Sequence, residues 1–353
     1  MLVGDNGAGK TNLLEAVSLL GAGHGLRGRH LAELGRNDGP GGFAISAHVM
    51  SQDGEIEIGT GFGLEPREGA EGRVVKIAGK ERSSGALAEY VKLVWLVPAM
   101  DGLFTGSASE RRRFLDRIVL TIDPKMRTPL SRYDRAMRQR NRLFQMREGS
   151  PSLFEGLEEQ MAETGVAIAA ARLDAVSRLA GLIERSRAEH GDGPFPWAWL
   201  AAVGTLEGEI NERPATEVED DYFRALIANR ERDRAAGRAL EGPHLSDLVV
   251  VHGPSEAPGA SCSSGEQKAL LIGLVLAHAE LIKAIDGIAP LILLDEISAH
   301  LDQSRREGLF GEILRLKAQA WMTGTDDELF APLGPTAQHM GVADGRLFPK
   351  KSS

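Results

Sequence analysis

Eight residues near the start of the chain, G-D-N-G-A-G-K-T from Gly4 to Thr11, fit the spacing of a phosphate-binding loop. Glycines let the backbone curl so that successive N–H groups face one anion at the start of a helix. We expect Lys10 to contact the β- and γ-phosphates and the Thr11 hydroxyl to ligate Mg²⁺. A Gly-rich turn followed by a chance Lys-Thr pair is the alternative. The predicted ATP-binding residues are Gly4, Asp5, Asn6, Gly7, Ala8, Gly9, Lys10 and Thr11.

Two carboxylates end an apolar run, L-I-L-L-D-E at residues 291–296. Ligands of doubly wound sheets bind at the carboxyl ends of the strands, where such a pair would lie. We expect Asp295 to hold Mg²⁺, directly or through water, and Glu296 to act as general base on the attacking water. A strand that ends in Asp-Glu is often a solvated terminus, so the prediction depends on the phosphate loop being present as well.

A third motif, S-S-G-E-Q at Ser263, Ser264, Gly265, Glu266 and Gln267, precedes a long apolar run. A hydroxyl and free backbone N–H groups at the start of a helix can bind an anion. Since the chain already has a phosphate loop, this second anion site would serve the γ-phosphate of a nucleotide on a partner molecule. The competing interpretation is an ordinary helix capped by serine.

The elements that position these motifs can be read from periodicity. Apolar residues after Thr11 recur at helical spacing and predict a helix that ends at Gly21. Further helices are predicted at 110–148, at 152–190 and at about 220–238. The second of these has the spacing of a capping box at Ser152 and Glu155. Strands are predicted at 43–49, 55–62, 92–97, 247–252 and 289–296. The sequence therefore predicts two domains. One is a discontinuous α/β head formed by 1–120 with 245–353, and the other is a helical lobe inserted at 121–244.

The strand before the phosphate loop is short, because only three residues precede Gly4 and strands average about 5 residues. We expect a further strand upstream in the native protein, in preference to a shortened sheet that tolerates the loss. Either way, we expect this chain to bind ATP more weakly than an N-terminally extended form. Equal affinities of the two forms would contradict that expectation.

Composition excludes several classes of protein. The 353 residues are 42% hydrophobic and carry a net charge of −9, so the chain can bury a large core and is not basic throughout. Its one cysteine, Cys262, cannot form a disulfide within the chain. With no apolar segment typical of a signal peptide or a membrane span, the expectation is a cytoplasmic protein.

Positive charge is nevertheless concentrated in one region. Residues 110–148 contain twelve Lys or Arg against five Asp or Glu, an excess of seven positive charges. Clustered arginines suit sequence-independent contacts with DNA phosphates, and few aromatic residues interrupt them, which favours duplex DNA over a single-strand stacking platform. A solvated helix with internal ion pairs is the alternative. The predicted DNA-binding residues are Arg111, Arg112, Arg113, Arg138, Arg140 and Arg142.

The order of these motifs resembles that of ABC-type ATPases of the SMC kind. Three further segments are similar to those of the RecF family of bacterial DNA replication and repair proteins: S-A-S-E-R-R-R-F-L-D-R from Ser107, Q-R-N-R-L-F from Gln139 and E-G-P-H-L-S-D-L from Glu241. Two departures are Leu245, where the family pattern has arginine, and Thr325, where transporters have a switch histidine.

The resemblance implies an ABC-type, SMC-like ATPase head with an inserted helical lobe and a weak DNA-stimulated ATPase activity. It also implies an ATP-dependent homodimer in which each phosphate loop faces Ser264 and Gly265 of the other subunit, with Asp302 in a loop that monitors the site. The closed dimer would hold duplex DNA or a single/double-strand junction, and hydrolysis would release it. RecO and RecR would be partners, and the process would assist RecA loading during the SOS response to DNA damage.

Two other functions stay open on the sequence. One is the nucleotide-binding subunit of an ABC-type transporter, against which the inserted helical lobe and the missing switch histidine argue. The other is a nucleotide-gated binding module with negligible hydrolysis, against which Glu296 argues.

Overall fold

The computed structural model of the chain describes residues 1–36, 39, 41–51, 54–63, 72–146, 149–296 and 301–350. Its helices are α1 (Lys10–Ser18), α2 (Ala108–Ile122), α3 (Arg127–Met146), α4 (Pro151–His190), α5 (Thr205–Glu212), α6 (Ala215–Ala228), α7 (Arg230–Ala236), α8 (Ser264–Asp286) and α9 (Gln303–Leu316). Its strands are β1 (Leu2–Val3), β2 (Phe43–Ser51), β3 (Gly54–Phe62), β4 (Val74–Ile77), β5 (Lys80–Arg82), β6 (Leu93–Leu96), β7 (Ala198–Val203), β8 (Asp247–His252), β9 (Ala257–Pro258), β10 (Leu291–Leu294), β11 (Ala320–Gly324), β12 (Met340–Ala343) and β13 (Arg346–Pro349).

The chain divides into two compact units, Met1–Asp101 with Val275–Ser353, and Gly102–Leu274. The boundary residues Leu274 and Val275 both lie within α8. The predicted division into a head of 1–120 with 245–353 and a lobe of 121–244 stays a prediction.

The first unit is built on a six-stranded sheet in the order β13-β12-β1-β11-β10-β6. All neighbouring strands are parallel except β13, which is antiparallel to β12. Parallel strands in the middle of a sheet are covered on both faces, which is why β10 reads as an unbroken apolar run. The strand β1 is short but central, since it pairs with β11 on one side and β12 on the other.

A second sheet of the same unit is antiparallel, in the order β2-β3-β4-β5. Its buried side chains Ile58 and Val75 share one apolar core with Leu2 of β1, Leu14 of α1 and Leu293 of β10. Burial of this core fixes α1, and therefore the loop before it, against the parallel sheet.

The second unit is mainly helical. The 40-residue helix α4 contacts α3 and α6, and their shared core contains Met161, Ala169 and Val218. A small antiparallel sheet, β7-β8-β9, completes the unit. The predicted strand at 247–252 is thus present as β8, and its partners are β7 and β9.

Most predicted elements are confirmed, and the corrections have local causes. The helical stretch 110–148 is two helices, because Asp123 caps a turn at Pro124 between α2 and α3; residues 147 and 148 lie outside the described part. The predicted helix at about 220–238 is likewise two, α6 and α7, divided at Asn229.

The predicted cap of α4 is wrong by two residues. Ser150, and not Ser152, caps the helix, since the Ser150 hydroxyl accepts a hydrogen bond from the Leu153 N–H. The helix ends where predicted, at Gly191 with φ 75°. The strand β7 was missed, because its A-W-L-A-A-V sequence is rich in alanine, which is depleted in strands.

Among the helices in the described part of the chain, none combines the length and apolarity that crossing a lipid bilayer requires.

Candidate functional site

The loop Gly4–Thr11 joins β1 to α1, which is the strand–loop–helix context that the phosphate-loop spacing requires. Gly7 and Gly9 have φ angles of 83° and 105°, in the left-handed region that other residues avoid. A different constraint acts at Gly4, where a Cβ atom would lie 2.1 Å from the Val342 carbonyl oxygen of β12. The glycine pattern is therefore demanded by backbone geometry.

Neighbouring strands hold this loop at both ends. The Gly4 N–H donates to the Gly324 carbonyl of β11 at 3.3 Å. The Gly345 N–H, in the turn between β12 and β13, donates to the Ala8 carbonyl at 3.1 Å. Between these anchors the loop reaches solvent, and its exposed residues are Asp5, Asn6 and Gly7.

The Lys10 ammonium lies inside the curl of the loop. Its Nζ donates to the carbonyl oxygens of Gly4 at 2.5 Å and Asp5 at 2.9 Å, and only 4% of the residue is exposed. A lysine ammonium held against the backbone of a phosphate loop is positioned to neutralise an anion bound by that loop. This placement suits the predicted contact of Lys10 with nucleotide phosphates.

Asp295 accepts two hydroxyl hydrogen bonds at the carboxyl end of β10. Its Oδ1 is 3.1 Å from Thr11 Oγ1 and 2.8 Å from Thr323 Oγ1. Asp295 is 5% exposed and Thr323 is 1% exposed, so both bonds lie in a region with little water. The structure thus brings together the predicted Mg²⁺ residues Thr11 and Asp295, which are 284 positions apart in sequence.

Glu296, the predicted general base, has a strained backbone. Its φ is 54°, in the left-handed region, where a residue with a Cβ costs on the order of 1–3 kcal/mol. Its N–H donates to Thr323 Oγ1 at 2.8 Å, and its side chain is partly exposed. Strain of this kind is common at functional sites, where the surrounding structure maintains it.

Sequence reasoning missed Thr323. The motif M-T-G-T-D contains two threonines, of which only Thr325 stands at the position of the switch histidine of transporters. Thr325 is exposed, whereas Thr323 is buried between Asp295 and the Glu296 backbone. Strand alternation could not have distinguished them, because residues two apart lie on the same face of a strand; they differ because β11 ends at Gly324, before Thr325.

The residues present fit a magnesium ion that is shared with a nucleotide. Mg²⁺ is usually held by one or two protein oxygens, with water and substrate phosphates completing its octahedron. Thr11 and Asp295 supply two oxygen groups beside the loop. Within the described ranges no cluster of three or more His, Cys, Asp or Glu side chains could hold a metal by itself. An all-protein metal cage is therefore absent from that part of the chain.

The Ser263–Gln267 motif lies at the start of α8, in the second unit. Ser263 and Glu266 form a capping box: the Ser263 N–H donates to Glu266 Oε2 at 2.8 Å, and the Glu266 N–H donates to Ser263 Oγ at 3.4 Å. Gln267 Nε2 donates to the Cys262 carbonyl at 2.8 Å. The residues of the motif that face solvent are Ser263, Ser264 and Gly265.

Ser263 caps the helix, and the next two residues, Ser264 and Gly265, lie exposed at its positive end. Ser263 caps the helix as the competing interpretation predicts, and the next serine is exposed. Whether Ser264 and Gly265 bind a phosphate on a partner molecule stays a prediction.

Asp302, predicted to lie in a loop that monitors the nucleotide, is the N-cap of α9. Its Oδ1 accepts from the Arg305 N–H at 2.8 Å, and its side chain is 60% exposed. The preceding residues of the S-A-H-L-D motif, Ser298, Ala299 and His300, lie outside the described residues. Leu245, at the departure from the family pattern, is exposed.

The structure corrects the prediction for Arg140, which cannot contact DNA because it is 0% exposed. Its guanidinium donates to Glu158 at 3.0 Å, to Asp233 at 2.7 Å and to the Leu226 carbonyl at 2.8 Å. These partners belong to α4, α7 and α6. Arg140 is therefore a structural residue that joins four helices of the second unit.

Two other predicted DNA residues are occupied by protein partners. Arg111 forms a two-point ion pair with Asp247, at 2.7 and 2.8 Å, and bonding to Arg111 lowers the pKa of Asp247 despite its partial burial. Arg112 donates to the Ser246 carbonyl at 2.7 Å, and burial lowers the pKa of its guanidinium. Arg111 thus joins α2 to β8, and Arg112 joins α2 to the residue just before β8.

The remaining candidates, Arg113, Arg138 and Arg142, are exposed. Arg138 pairs with Asp134 one turn earlier at 2.6 Å, a contact that solvent screens. Arg135, which was counted in the basic region but not selected, is also exposed on α3. Positions 135, 138 and 142 lie on one face of the helix, opposite the buried Arg140.

Comparison with known proteins gives concordant relatives. Residues 1–333 match the family described as RecF/RecN/SMC N terminal domain. The DNA replication and repair protein RecF of Mesorhizobium japonicum is 51% identical over 351 residues, 99% of this chain and 91% of that protein. RecF of Rhizobium johnstonii is 49% identical, covering 99% and 92%, and RecF of Brucella suis biovar 1 is 49% identical, covering 98% and 89%.

Solved structures support the fold independently. The recombination mediator protein RecF-ATPrS of the RecFOR pathway has a TM-score of 0.84 at 23% identity, covering 99% of this chain and 91% of that one. An SmcHead bound to the C-winged helix domain of ScpA has a TM-score of 0.51 at 16% identity, covering 99% and 88%. The predicted fold class, an ABC-type SMC-like head with α/β and helical parts, is confirmed.

Proposed function

We propose a function from one premise: the chain belongs to the RecF family of SMC-type DNA replication and repair ATPases. Its activity is ATP hydrolysis in the service of DNA replication and repair. The observation that carries the assignment is the Thr11–Asp295 hydrogen bond of 3.1 Å, which places a phosphate loop against the carboxyl end of the central strand β10, with Glu296 next in sequence.

In the hydrolysis step, backbone N–H groups of the loop and the Lys10 ammonium bind the phosphates. Thr11 and Asp295 would hold Mg²⁺, which would supply positive charge to offset the negative charge of the nucleotide phosphates. The Glu296 carboxylate accepts a proton from water as the water oxygen bonds to the γ-phosphorus and the bond to the ADP oxygen breaks. The strained Glu296 backbone directs this carboxylate from the end of β10.

ATP also acts as an assembly signal in this proposal. Two chains associate with two nucleotides between them, each bound by the phosphate loop of one chain and by Ser264 and Gly265 of the other. The exposure of Ser264 and Gly265 at the positive end of α8 supports this arrangement, because a helix N-terminus attracts a phosphate. Hydrolysis removes the bridging γ-phosphate and releases the chains from each other.

DNA binds the closed form through its phosphates, and DNA accelerates hydrolysis. The exposed arginines Arg135, Arg138 and Arg142 of α3 support a duplex contact that does not depend on base sequence. RecO and RecR act with this chain, in line with the RecFOR pathway named for its structural neighbour. The function of a transporter subunit is not favoured, because the relatives that share about 50% of this chain's sequence are RecF proteins.

The test is ATP hydrolysis measured in single-turnover and steady-state assays, with and without duplex DNA, on the wild type and on Glu296→Gln. The wild type should hydrolyse ATP faster with DNA, and Glu296→Gln should bind ATP but lose at least about 100-fold in rate. Equal rates for the two proteins would contradict the role of Glu296. Nucleotide binding with no turnover in the wild type would favour a nucleotide-gated binding module.

A further inference from the structure

We propose that Thr323 is a positioning residue for hydrolysis, which fixes Glu296 relative to the Thr11–Asp295 pair. The inference rests on the proposed ATPase function and concerns a residue that contacts neither nucleotide nor water in the mechanism above. Thr323 lies in β11, between β1 and β10, and is 1% exposed. On one side its neighbour is β1, which precedes the phosphate loop, and on the other side it is β10, which precedes Asp295 and Glu296.

The direction of each hydrogen bond follows from the atoms involved. A backbone N–H can only donate, so the Glu296 N–H at 2.8 Å uses a lone pair of Thr323 Oγ1. The one hydroxyl hydrogen of Thr323 then donates to Asp295 Oδ1, also at 2.8 Å. A hydroxyl is required at this position, because the group must accept from one neighbour and donate to the other.

The Thr11 hydroxyl likewise has a single hydrogen to donate. Its hydroxyl hydrogen donates to Asp295 Oδ1 at 3.1 Å, which leaves the oxygen lone pairs free for a cation. One continuous chain of bonds therefore runs from the Glu296 backbone through the Thr323 hydroxyl and the Asp295 carboxylate to the Thr11 hydroxyl. The bonds from the Glu296 N–H to Thr323 and from Thr323 to Asp295 point the same way, so they polarise each other and loss of one weakens the other.

The backbone conformation of Glu296 explains why this series of hydrogen bonds matters for hydrolysis. A φ of 54° is unfavourable for glutamate, so the residue needs an external contact to stay in it. The bond from its N–H to Thr323 is that contact, and it begins on a buried central strand. Without it, the Glu296 backbone can relax and carry the carboxylate away from the water.

The variants Thr323→Val, Thr323→Ala and Thr323→Ser test this, with Thr216→Val, at an exposed threonine of α6, as the control. The measurements are kcat and KM for ATP at saturating Mg²⁺, and the Mg²⁺ concentration for half-maximal rate. Thr323→Val should lose about 10- to 100-fold in kcat, as expected for a residue that orients a metal ligand, with KM changed far less. Its half-maximal Mg²⁺ concentration should rise, whereas Thr323→Ser should keep most of the rate and Thr216→Val all of it.

A Thr323→Val enzyme with the wild-type kcat would overturn the proposal, as would Thr323→Ser falling as far as Thr323→Val. Hydrogen exchange on the wild type tests it without any variant. The Glu296 N–H lies beyond the end of β10 and should still be protected, so rapid exchange of that amide would also overturn the proposal. If the wild type itself does not hydrolyse ATP, the ATPase assignment fails instead.

Discussion

A buried carboxylate, Glu15, lies one turn after the predicted Mg²⁺ ligand Thr11 on α1. Only 4% of the residue is exposed. Its Oε2 accepts a hydrogen bond from the Arg27 N–H at 3.1 Å, whereas Oε1 has no hydrogen-bond partner among the residues that the structure describes. Burial raises the pKa of Glu15, and the nearby Arg27 opposes that shift only in part. Glu15 thus attaches the segment around Arg27 to α1 at some cost in stability.

The stability consequence depends on pH, and Glu15→Gln reveals it. Because the folded-state pKa of Glu15 is raised, the folded protein binds more protons than the unfolded chain above about pH 4.5, and its stability falls as pH rises through that window. Glutamine does not titrate. The free energy of unfolding of Glu15→Gln should therefore improve relative to the wild type between pH 4 and pH 8, as measured by urea unfolding.

The exposed residue Glu33 gives a matched control, because Glu33→Gln removes the same charge from the same unit. The difference between Glu33→Gln and the wild type should change little over this pH range. A constant difference between Glu15→Gln and the wild type across the range would contradict the role of burial at Glu15.

Individual site residues were predictable where the chemistry is local in sequence. The phosphate loop and the Asp295–Glu296 pair each occupy one short stretch, so residue type and spacing identify them. Thr323 and Glu15 were not predictable, because their importance comes from neighbours that the fold supplies. Thr323 contacts Asp295 from 28 positions away, and Glu15 is buried by a segment that begins ten residues later.

The helix α3 shows why a run of charged residues in the sequence does not identify an exposed face of the protein. Its helical character and its arginines are evident in the sequence, but the side that faces inward is not. Arg140 faces inward because Glu158 of α4 and Asp233 of α7 approach it there. Its guanidinium also lies 4.6 Å from the ring centre of Phe144, which stacks on Phe154. The two carboxylates, Glu158 and Asp233, lie 18 and 93 positions away in sequence.

Replacing Arg140 by alanine should destabilise the second unit strongly. The change leaves Glu158 and Asp233 with buried charge that has lost a partner, and breaking a buried ion pair in this way costs about 3–5 kcal/mol. Arg138→Ala on the same helix is the matched control, because that side chain is 75% exposed and should alter stability by less than about 0.5 kcal/mol. Urea unfolding measures both, and equal effects would contradict the assignment of Arg140 to the interior.

The outward face of α3 should instead determine how DNA affinity depends on salt. Replacing Arg135, Arg138 and Arg142 by alanine removes up to three phosphate contacts, which should reduce the slope of log affinity against log salt by about two to three. The measurement is fluorescence anisotropy of duplex DNA with ATP, from low to physiological salt.

A control with the same change of net charge separates contact from general electrostatics. Arg178, Arg185 and Arg224 are exposed arginines on other helices of the second unit, α4 and α6. Their replacement by alanine should leave the salt slope nearly unchanged. Equal slopes for the two triple variants would exclude the α3 face as the DNA contact.

At the scale of the whole molecule, the order of motifs along the chain was more informative than any one of them. The loop near the first strand, the serine-capped helix and the strand that ends in Asp-Glu together specify the fold class, which the fold comparison confirms. The strand β7 and the pairing of β8 with it were not predictable, because sheet partners are chosen by tertiary contacts. A net charge of −9 also conceals the basic region, since opposite charges are segregated along the chain.

Assembly is the property of the whole molecule that the proposed function depends on most. In a sandwich of two chains, each nucleotide needs one intact phosphate loop and one intact α8 N-terminus from opposite chains. Glu296→Gln with ATP should therefore sediment as a species of twice the 37.9 kDa of one chain, since nucleotide is bound but not hydrolysed. Lys10→Ala should stay single because it cannot bind the phosphates, and Ser264→Arg should stay single because its side chain blocks the exposed end of α8.

Mixing the two defective chains distinguishes shared sites from sites within one chain. A pair made of Lys10→Ala and Ser264→Arg, both carrying Glu296→Gln, contains one site in which the intact loop of the second chain meets the intact α8 end of the first. The mixture should therefore recover dimers with ATP at higher protein concentration than the parent, whereas neither chain does so alone. If Ser264→Arg dimerises by itself, or if the mixture stays single at every concentration, the nucleotide is not bound between Ser264 of one chain and the phosphate loop of the other.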